Sequence, residues 1–293
     1  MSSLADQAYW DNLPKRCIVC ETYVGPNKKN LYCSRCEETT GIAHYCSRSC
    51  QRKHWPSHKI VCVDIKTTPI TRVEGEQTIS SIQAAIDAAP IDSVVIIPVG
   101  RFKGSSNDEK IVIRKPIKLF GDGDKRTILE CDLHILGGDQ NASMSSSSLV
   151  IARLAVMGKI EVDVPPTEVR GDLTFFAVMA AFRVDERCSA HSCIRFHIIS
   201  LPETVLNILS CDIIGGTDGI VIEEGASAAA VSIHGTTIEG AKNRGIFSTP
   251  PFFLKDCKVH SLGRYSIEGR SEWHSIGDND IQPGYSSPPY KHS

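Results

Sequence analysis

Seven cysteines and one histidine between residues 17 and 62 are spaced like the ligands of a metal centre. They fall into four pairs: Cys17 and Cys20, Cys33 and Cys36, Cys46 and Cys50, and His58 and Cys62. When two residues separate a pair of ligands, a tight turn lets both side chains face one ion. When three residues separate them, both side chains lie on one face of a helix. Because a closed structural zinc site takes four nitrogen or sulfur ligands, eight ligands predict two Zn²⁺ ions.

Other cysteines and histidines give weaker metal-site hypotheses. His54 lies close to His58 in sequence and would compete with it as a ligand. Cys188 and Cys193, with His191 between them, would make a third site of non-standard C-x2-H-x-C spacing. The remaining cysteines are expected to pack as small apolar side chains in the core.

The sequence lacks the features of an exported or membrane protein. Residues 1–17 contain no basic segment followed by an apolar one, and no apolar run reaches the length of a membrane span. We therefore expect a reducing compartment, the cytoplasm or the nucleus, with no membrane partner. In such a compartment cysteines bind metals more often than they form disulfides.

Charge divides the chain near residues 63–70. Residues 1–66 contain ten Lys and Arg against six Asp and Glu, a formal charge of +4, and the remainder carries −6. Zinc-bound thiolates bring the first part close to neutrality, so direct binding of nucleic acid is disfavoured. Because the first part also has few aliphatic residues, the metal must supply much of its folding energy.

The order C-x2-C, C-x2-C, YC-x3-CQ and HW-x2-H-x3-C resembles the MYND-type zinc finger over residues 17–62. The resemblance implies that the pairs interleave, with one ion held by Cys17, Cys20, Cys46 and Cys50 and the other by Cys33, Cys36, His58 and Cys62. It also implies a shallow groove for short proline-containing peptides, to which Gln51 and Trp55 would contribute. Packing of Trp55 against the zinc core alone is the alternative.

From residue 78 the pattern changes to short apolar runs. TISSIQAAIDAAP spaces its apolar residues for one face of a helix that begins at Thr78 and ends at Pro90. Three segments anchored on Cys211, Thr236 and Cys257 repeat at intervals of 25 and 21 residues, which predicts a solenoid of short strands. The predicted strands include VVII (94–97), KIVI (110–113), LVIARLAV (149–156), LTFFAVMAAF (173–182) and GIVI (219–222).

Residues 77–270 resemble a right-handed parallel β-helix of the pectin-lyase-like type. The resemblance implies an all-β solenoid whose N-terminal helix, at 78–89, caps the open end of the stack and covers its edge. A jelly roll or sandwich is the competing fold. Related enzymes use clustered carboxylates, but GTDGI at 216–220 resembles only part of the polygalacturonase signature. We therefore predict that Asp218 is a turn residue and that the chain is not an enzyme.

These observations predict an N-terminal segment 1–16, a MYND-type finger 17–62, a linker 63–76, a parallel β-helix 77–280 and a flexible Pro-rich tail 281–293. The predicted function is that of an adaptor or scaffold. Its finger recruits a protein with a proline-containing motif, and its β-helix offers a binding face to a second protein or a glycan. Two alternatives remain: a carbohydrate-active β-helix enzyme with a MYND targeting module, and a transcription or chromatin recruitment factor.

Overall fold

The chain divides into two compact units, Met1–Thr67 and Thr68–Ser293. The structure, a computed structural model, describes residues 17, 20, 22, 45–62, 67–105, 109–122, 127–136, 149–164, 173–176, 179–182, 194–199, 205–225, 230–269, 273–282 and 290–291. The division falls within the region where the charge of the sequence changes. Neither helix in these ranges has the length and hydropathy of a membrane-spanning segment.

Each unit contributes one helix to the described residues. Helix α1 (Arg48–Val61) belongs to the first unit and begins after Ser47, whose hydroxyl accepts a 3.2 Å hydrogen bond from the Cys50 N–H. Helix α2 (Ile79–Ala88) belongs to the second and begins after Thr78, which caps the Ser81 N–H in the same way. Both caps satisfy N–H groups that have no partner within the helix. The start of α2 and its end before Pro90 confirm the prediction.

The second unit is built from short strands. In chain order they are β1 (Ile70–Arg72), β2 (Val94–Ile97), β3 (Gly100–Lys103), β4 (Lys110–Ile113), β5 (Lys118–Gly121), β6 (Thr127–Glu130), β7 (Asp132–Leu136), β8 (Leu149–Ala152), β9 (Ala155–Val156), β10 (Ile160–Val164), β11 (Leu173–Phe176), β12 (Met179–Phe182), β13 (Ile194–Ile199), β14 (Val205–Leu209), β15 (Asp212–Gly215), β16 (Asp218–Gly225), β17 (Ala230–His234), β18 (Thr237–Ala241), β19 (Arg244–Ser248), β20 (Phe252–Lys255), β21 (Lys258–Ser261), β22 (Ile267–Gly269), β23 (Trp273–Ile276), β24 (Asp280–Gln282) and β25 (Tyr290–Lys291).

The strands form three sheets that the chain visits in turn. The first sheet has the order β1-β2-β5-β8-β11-β14-β17-β20-β23-β25, the second runs from β3 through β6 and every third strand to β24, and the third runs from β4 in the same way to β22. Every strand pair in the described ranges is parallel, as between β14 and β17 or β15 and β18. The fold is therefore a parallel β-solenoid, as predicted, and a jelly roll is excluded because its strands are antiparallel.

The core consists of side-chain ladders that run from coil to coil. On the first sheet Ile208, Ile233 and Leu254 occupy equivalent positions of the successive strands β14, β17 and β20, and all three are buried. Branched aliphatic side chains suit this arrangement because each packs on its counterpart in the next coil. The burial of apolar surface in these ladders supplies the main stabilising free energy of the unit.

The repeat anchored on Cys211, Thr236 and Cys257 marks one corner of the solenoid, between the first and second sheets. The three side chains are buried one above another, and the Cys211 N–H donates to Thr236 Oγ1 over 3.4 Å. Preceding residues Ser210 and Asp256 have φ values of 52° and 51°, so the chain turns there through the left-handed region. Burial raises the pKa of Cys257, as expected for a packing thiol.

The N-terminal edges of two of the sheets are covered. Strand β1 pairs with β2 and is itself the edge of the first sheet, whereas Thr78 forms a parallel bridge to Lys103 at the edge of the second. On the third sheet the Gln83 amide of α2 takes the place of a missing strand: its Nε2 donates to the Val112 carbonyl over 3.0 Å, and its Oε1 accepts from the Val112 N–H over 2.8 Å. This arrangement confirms the predicted capping helix, which protects an otherwise exposed strand edge.

Several boundaries differ from those predicted. Ile70–Arg72, assigned to the linker, form β1, while Gln282 and Tyr290–Lys291, assigned to the flexible tail, lie in β24 and β25. The neighbouring strand supplies hydrogen-bond partners that local composition does not reveal. The single strand predicted at 149–156 is two strands, β8 and β9, separated by a corner at which Arg153 has a φ of 61°. The apolar run continues through this corner because both sides of it are buried.

Replacement of Gln83 by Leu will leave the Val112 N–H and carbonyl without their partners. Because these groups are partly buried, we expect the free energy of unfolding of the second unit to fall by about 1–3 kcal/mol. Urea denaturation followed by far-ultraviolet circular dichroism measures this difference. Ala84→Ser, at an exposed position of the same helix, is the matched control, and equal unfolding midpoints for the two variants would contradict the capping role.

Candidate metal centre

Four cysteine sulfur atoms converge in the first unit. The Sγ atoms of Cys17, Cys20, Cys46 and Cys50 all lie within 4.8 Å of one another. The distance is 3.4 Å between Cys20 and Cys46, 3.6 Å between Cys46 and Cys50, and 3.9 Å between Cys20 and Cys50. Tetrahedral Zn²⁺ with bonds of 2.3 Å requires about 3.8 Å between sulfur atoms. The cluster therefore has the composition and the size of a structural zinc site.

Two local structures bring these sulfur atoms together. Cys46 and Cys50 flank the first turn of α1 at i and i+4, where the Ser47 cap fixes the direction of the helix. Cys17 and Cys20 lie in a tight turn closed by a 2.9 Å hydrogen bond from the Cys17 N–H to the Thr22 carbonyl. Cys17 is buried, whereas Cys20 is exposed. The helix and the turn each present a pair of thiols to one point.

The thiols affect each other's ionisation. The side chain of Thr22, 3.2 Å from the Cys20 sulfur, lowers the pKa of Cys20 by stabilising its thiolate. The thiol of Cys20, followed by that of Cys50, raises the pKa of Cys46 to about 12, because a second thiolate so close to the first would repel it. A dication removes this repulsion, so zinc binding must displace protons and must weaken as the pH falls.

The second predicted ligand set lies only partly within the described residues. His58 is buried, and Cys62 follows directly after the end of α1. Cys33 and Cys36 lie outside the described residues, so the structure does not test their pairing with His58 and Cys62. His54 uses its Nδ1 in a 2.8 Å hydrogen bond with the Tyr45 hydroxyl, which leaves that nitrogen unsuited to a metal.

The predicted peptide-binding residues lie on α1 between the two ligand pairs. Gln51 and Trp55 are one helical turn apart, and the Trp55 side chain is 40% exposed. The Trp55 ring also lies 5.8 Å from the His58 ring, measured between centroids. One part of the indole therefore contacts a predicted ligand, and the other faces solvent.

The carboxylate singled out in the second unit has a different role from the one predicted. The sequence predicts a turn residue, but Asp218 begins β16, is buried, and forms a bidentate ion pair with Arg244 at 2.8 and 3.0 Å. Asn243 donates a further hydrogen bond to it over 3.1 Å. Asp218 raises the pKa of the Arg244 guanidinium. The partners come from the next coil, so local sequence gives no signal for them.

The third hypothetical metal site cannot be placed. Cys188, His191 and Cys193 lie outside the described residues. Cys131, Cys211 and Cys257 are buried in the solenoid, as expected for packing residues.

Comparison with known proteins agrees with the geometry of the first unit. The profile of the MYND finger family matches residues 17–62. Histone-lysine N-methyltransferase SMYD3 of Homo sapiens is 38% identical over 52 residues, which cover 18% of this chain and 11% of that enzyme. The solved structure of ORF18 of Geobacillus virus E2 is 12% identical in sequence to this chain, with a TM-score of 0.40. The alignment covers 98% of this chain and 72% of that structure.

Residues 17–62 are a MYND zinc finger, as the resemblance of the ligand motifs implied. The MYND finger is a class of zinc-binding module for protein–protein interaction. This assignment extends neither to the solenoid nor to an activity of the chain, because the matched regions are a small part of both proteins.

Replacement of Cys46 by Ser will remove one zinc ion per chain, because Cys46 Sγ is close to both Cys20 and Cys50. Inductively coupled plasma mass spectrometry of protein purified in reducing buffer measures the change. Cys131→Ala, which alters a buried cysteine of the solenoid, is the control and will leave the zinc content unchanged. An unaltered zinc content in Cys46→Ser would show that the four sulfur atoms do not form the site.

Proposed function

We propose that this protein is a zinc-dependent adaptor whose finger recruits a partner through a proline-containing peptide. The observation that carries the proposal is the exposure of the Trp55 indole beside Gln51, on a helix whose N-terminal end carries Cys46 and Cys50 of the metal centre. An adaptor of this kind binds its partners without changing them chemically.

The two side chains suit a proline-containing segment. The flat indole of Trp55 offers an apolar face to a pyrrolidine ring and keeps an N–H for hydrogen bonding. A polyproline II segment has no internal hydrogen bonds, so its carbonyl groups are available to a donor such as the Gln51 amide. Because the segment is already extended, it loses little conformational entropy on binding.

A second zinc ion would stabilise the far end of α1. We infer that Cys33, Cys36, His58 and Cys62 hold this ion, in addition to the one at Cys17, Cys20, Cys46 and Cys50. Ligands at both ends of the helix would fix Gln51 and Trp55 between them. Such preorganisation lowers the entropic cost of peptide binding.

The solenoid is proposed to supply a second binding face, for a protein or a glycan. Its outer surface includes a stacked pair, Phe253 and His274, with ring centroids 4.9 Å apart and Phe253 42% exposed. An exposed aromatic ring on a flat sheet is suited to packing against a sugar or an apolar side chain. Asp218 is held by Arg244 and takes no part in the proposed function, which includes no catalysis. We propose the cytoplasm or the nucleus as the location.

The proposal of two ions predicts a stoichiometry. Wild-type protein will contain two zinc ions per chain, and His58→Ala will contain one, because a buried imidazole ligand is lost. Metal analysis combined with titration of thiols before and after chelation measures this. If His58→Ala retains two ions, His58 is not a ligand of the second site. If the wild-type protein contains one ion, the proposal of a second site is wrong. His134→Ala, in the solenoid, is the matched histidine control.

Replacement of Trp55 by Ala will weaken binding of a proline-containing peptide by about 2 kcal/mol, the usual loss at an aromatic hot spot. Fluorescence anisotropy of a labelled peptide with the zinc-loaded full chain measures the affinity. Phe253→Ala removes an equally exposed aromatic side chain from the solenoid and will bind the peptide like the wild type. Equal affinities for Trp55→Ala and wild type, with equal zinc contents, would assign Trp55 a packing role only.

A further inference from the structure

The exposed face of α1 is basic as well as aromatic. Arg48, Arg52 and Trp55 occupy positions i, i+4 and i+7, which lie on one side of a helix, and all three are exposed. Gln51 borders them and is partly exposed. We call these four residues the α1 stripe. It places two guanidinium groups beside the indole that is proposed to receive proline.

No neighbouring carboxylate opposes the positive charge of the stripe, although the thiolates of Cys46 and Cys50 lie at the same end of α1. The sequence from residue 45 to residue 62 contains no Asp or Glu. Within the described part of the chain, no carboxylate forms an ion pair with Arg48 or Arg52, whereas basic residues of the solenoid such as Arg244 and Lys258 pair with carboxylates on adjacent coils. The stripe therefore presents two cations to solvent.

The position of these cations does not favour the helix itself. Arg48 and Arg52 lie in the first two turns, where the helix macrodipole is positive and disfavours cations, and the first turn has no acidic residue. The thiolates of Cys46 and Cys50 at the same end of the helix offset part of this effect, and an anionic group on a partner would offset the rest.

We propose that the α1 stripe binds a segment in which Asp or Glu residues lie next to the proline. This inference rests on the proposed peptide binding at Trp55 and specifies the partner. Along the helix axis Arg52 and Arg48 are about 4.5 Å and 10 Å from Trp55, at 1.5 Å per residue. A polyproline II segment advances about 3.1 Å per residue, so the acidic residues belong about two to four positions from the proline.

The test compares three labelled peptides that share one Pro-Pro core. The first carries three Asp residues two to four positions from the core, the second has the same composition with the Asp residues eight or more positions away, and the third has Asn in place of Asp. With zinc-loaded full-length protein at low salt, the first will bind about tenfold more tightly than the third, the effect expected of two exposed ion pairs. The second will lie between them, and 0.5 M NaCl will reduce the differences.

Two double variants separate the stripe from general electrostatics. Arg48→Ala with Arg52→Ala will abolish the preference for the acidic peptide but keep the affinity for the Asn peptide and the zinc content. Arg114→Ala with Arg264→Ala removes the same charge from exposed positions of the solenoid unit and will keep the preference.

The outcomes distinguish this inference from the proposed function. If the Asp and Asn peptides bind equally at all salt concentrations, the inference is wrong and the peptide-binding function stands. If no peptide binds, both fail. If the Arg48 and Arg52 variant loses zinc, the arginines serve the metal centre and the inference is overturned. It is also overturned if a single-stranded oligonucleotide displaces the acidic peptide and depends on the same arginines, because the partner is then a nucleic acid.

Discussion

The mutual approach of four cysteine sulfur atoms is the constraint on which the finger depends. Cys17, Cys20, Cys46 and Cys50 bring their sulfur atoms to separations that suit tetrahedral zinc but that would place thiolates in repulsion without it. The same contact fixes the first turn of α1 relative to the turn that ends at Thr22. Few aliphatic residues are available there, so coordination takes the place that burial has in a larger domain.

The solenoid depends on a different interaction, the parallel register between coils. Each strand pairs with its counterpart in the next coil, and this pairing aligns Ile208 with Ile233 and Ile233 with Leu254. At the N-terminal end of the stack, Thr78 and Gln83 cover the strand edges of the second and third sheets. Among the described residues the cluster of metal-ligating side chains lies in the first unit, so we expect removal of the metal to destabilise that unit and not the packing of the described coils.

The two units suggest a division of roles. In the proposed function, the helix beside the metal centre presents Gln51, Trp55 and two arginines to a short peptide. A stack of coils presents flat sheet faces that carry polar pairs such as Glu239 and Lys258. The hydrogen bond from Lys258 lowers the pKa of Glu239. The buried Asp218 is bound by Arg244 of the next coil, which makes it part of the scaffold.

The sequence by itself determined the features that depend on near neighbours. Ligand pairs three or four positions apart predict a metal site, Thr78 and Pro90 delimit α2, and the repeat on Cys211, Thr236 and Cys257 predicts the stacked corner. The tertiary structure decided the features that depend on register. Neighbouring coils and turns in the folded chain determine four of these features. They are the approach of Cys17 to Cys46, the pairing of Asp218 with Arg244, the pairing of Gln83 with Val112, and the division of residues 149–156 at Arg153. In the solenoid, contacts between residues some 25 to 30 positions apart leave no local pattern, because the length of each coil, and not the adjoining residues, sets the partner.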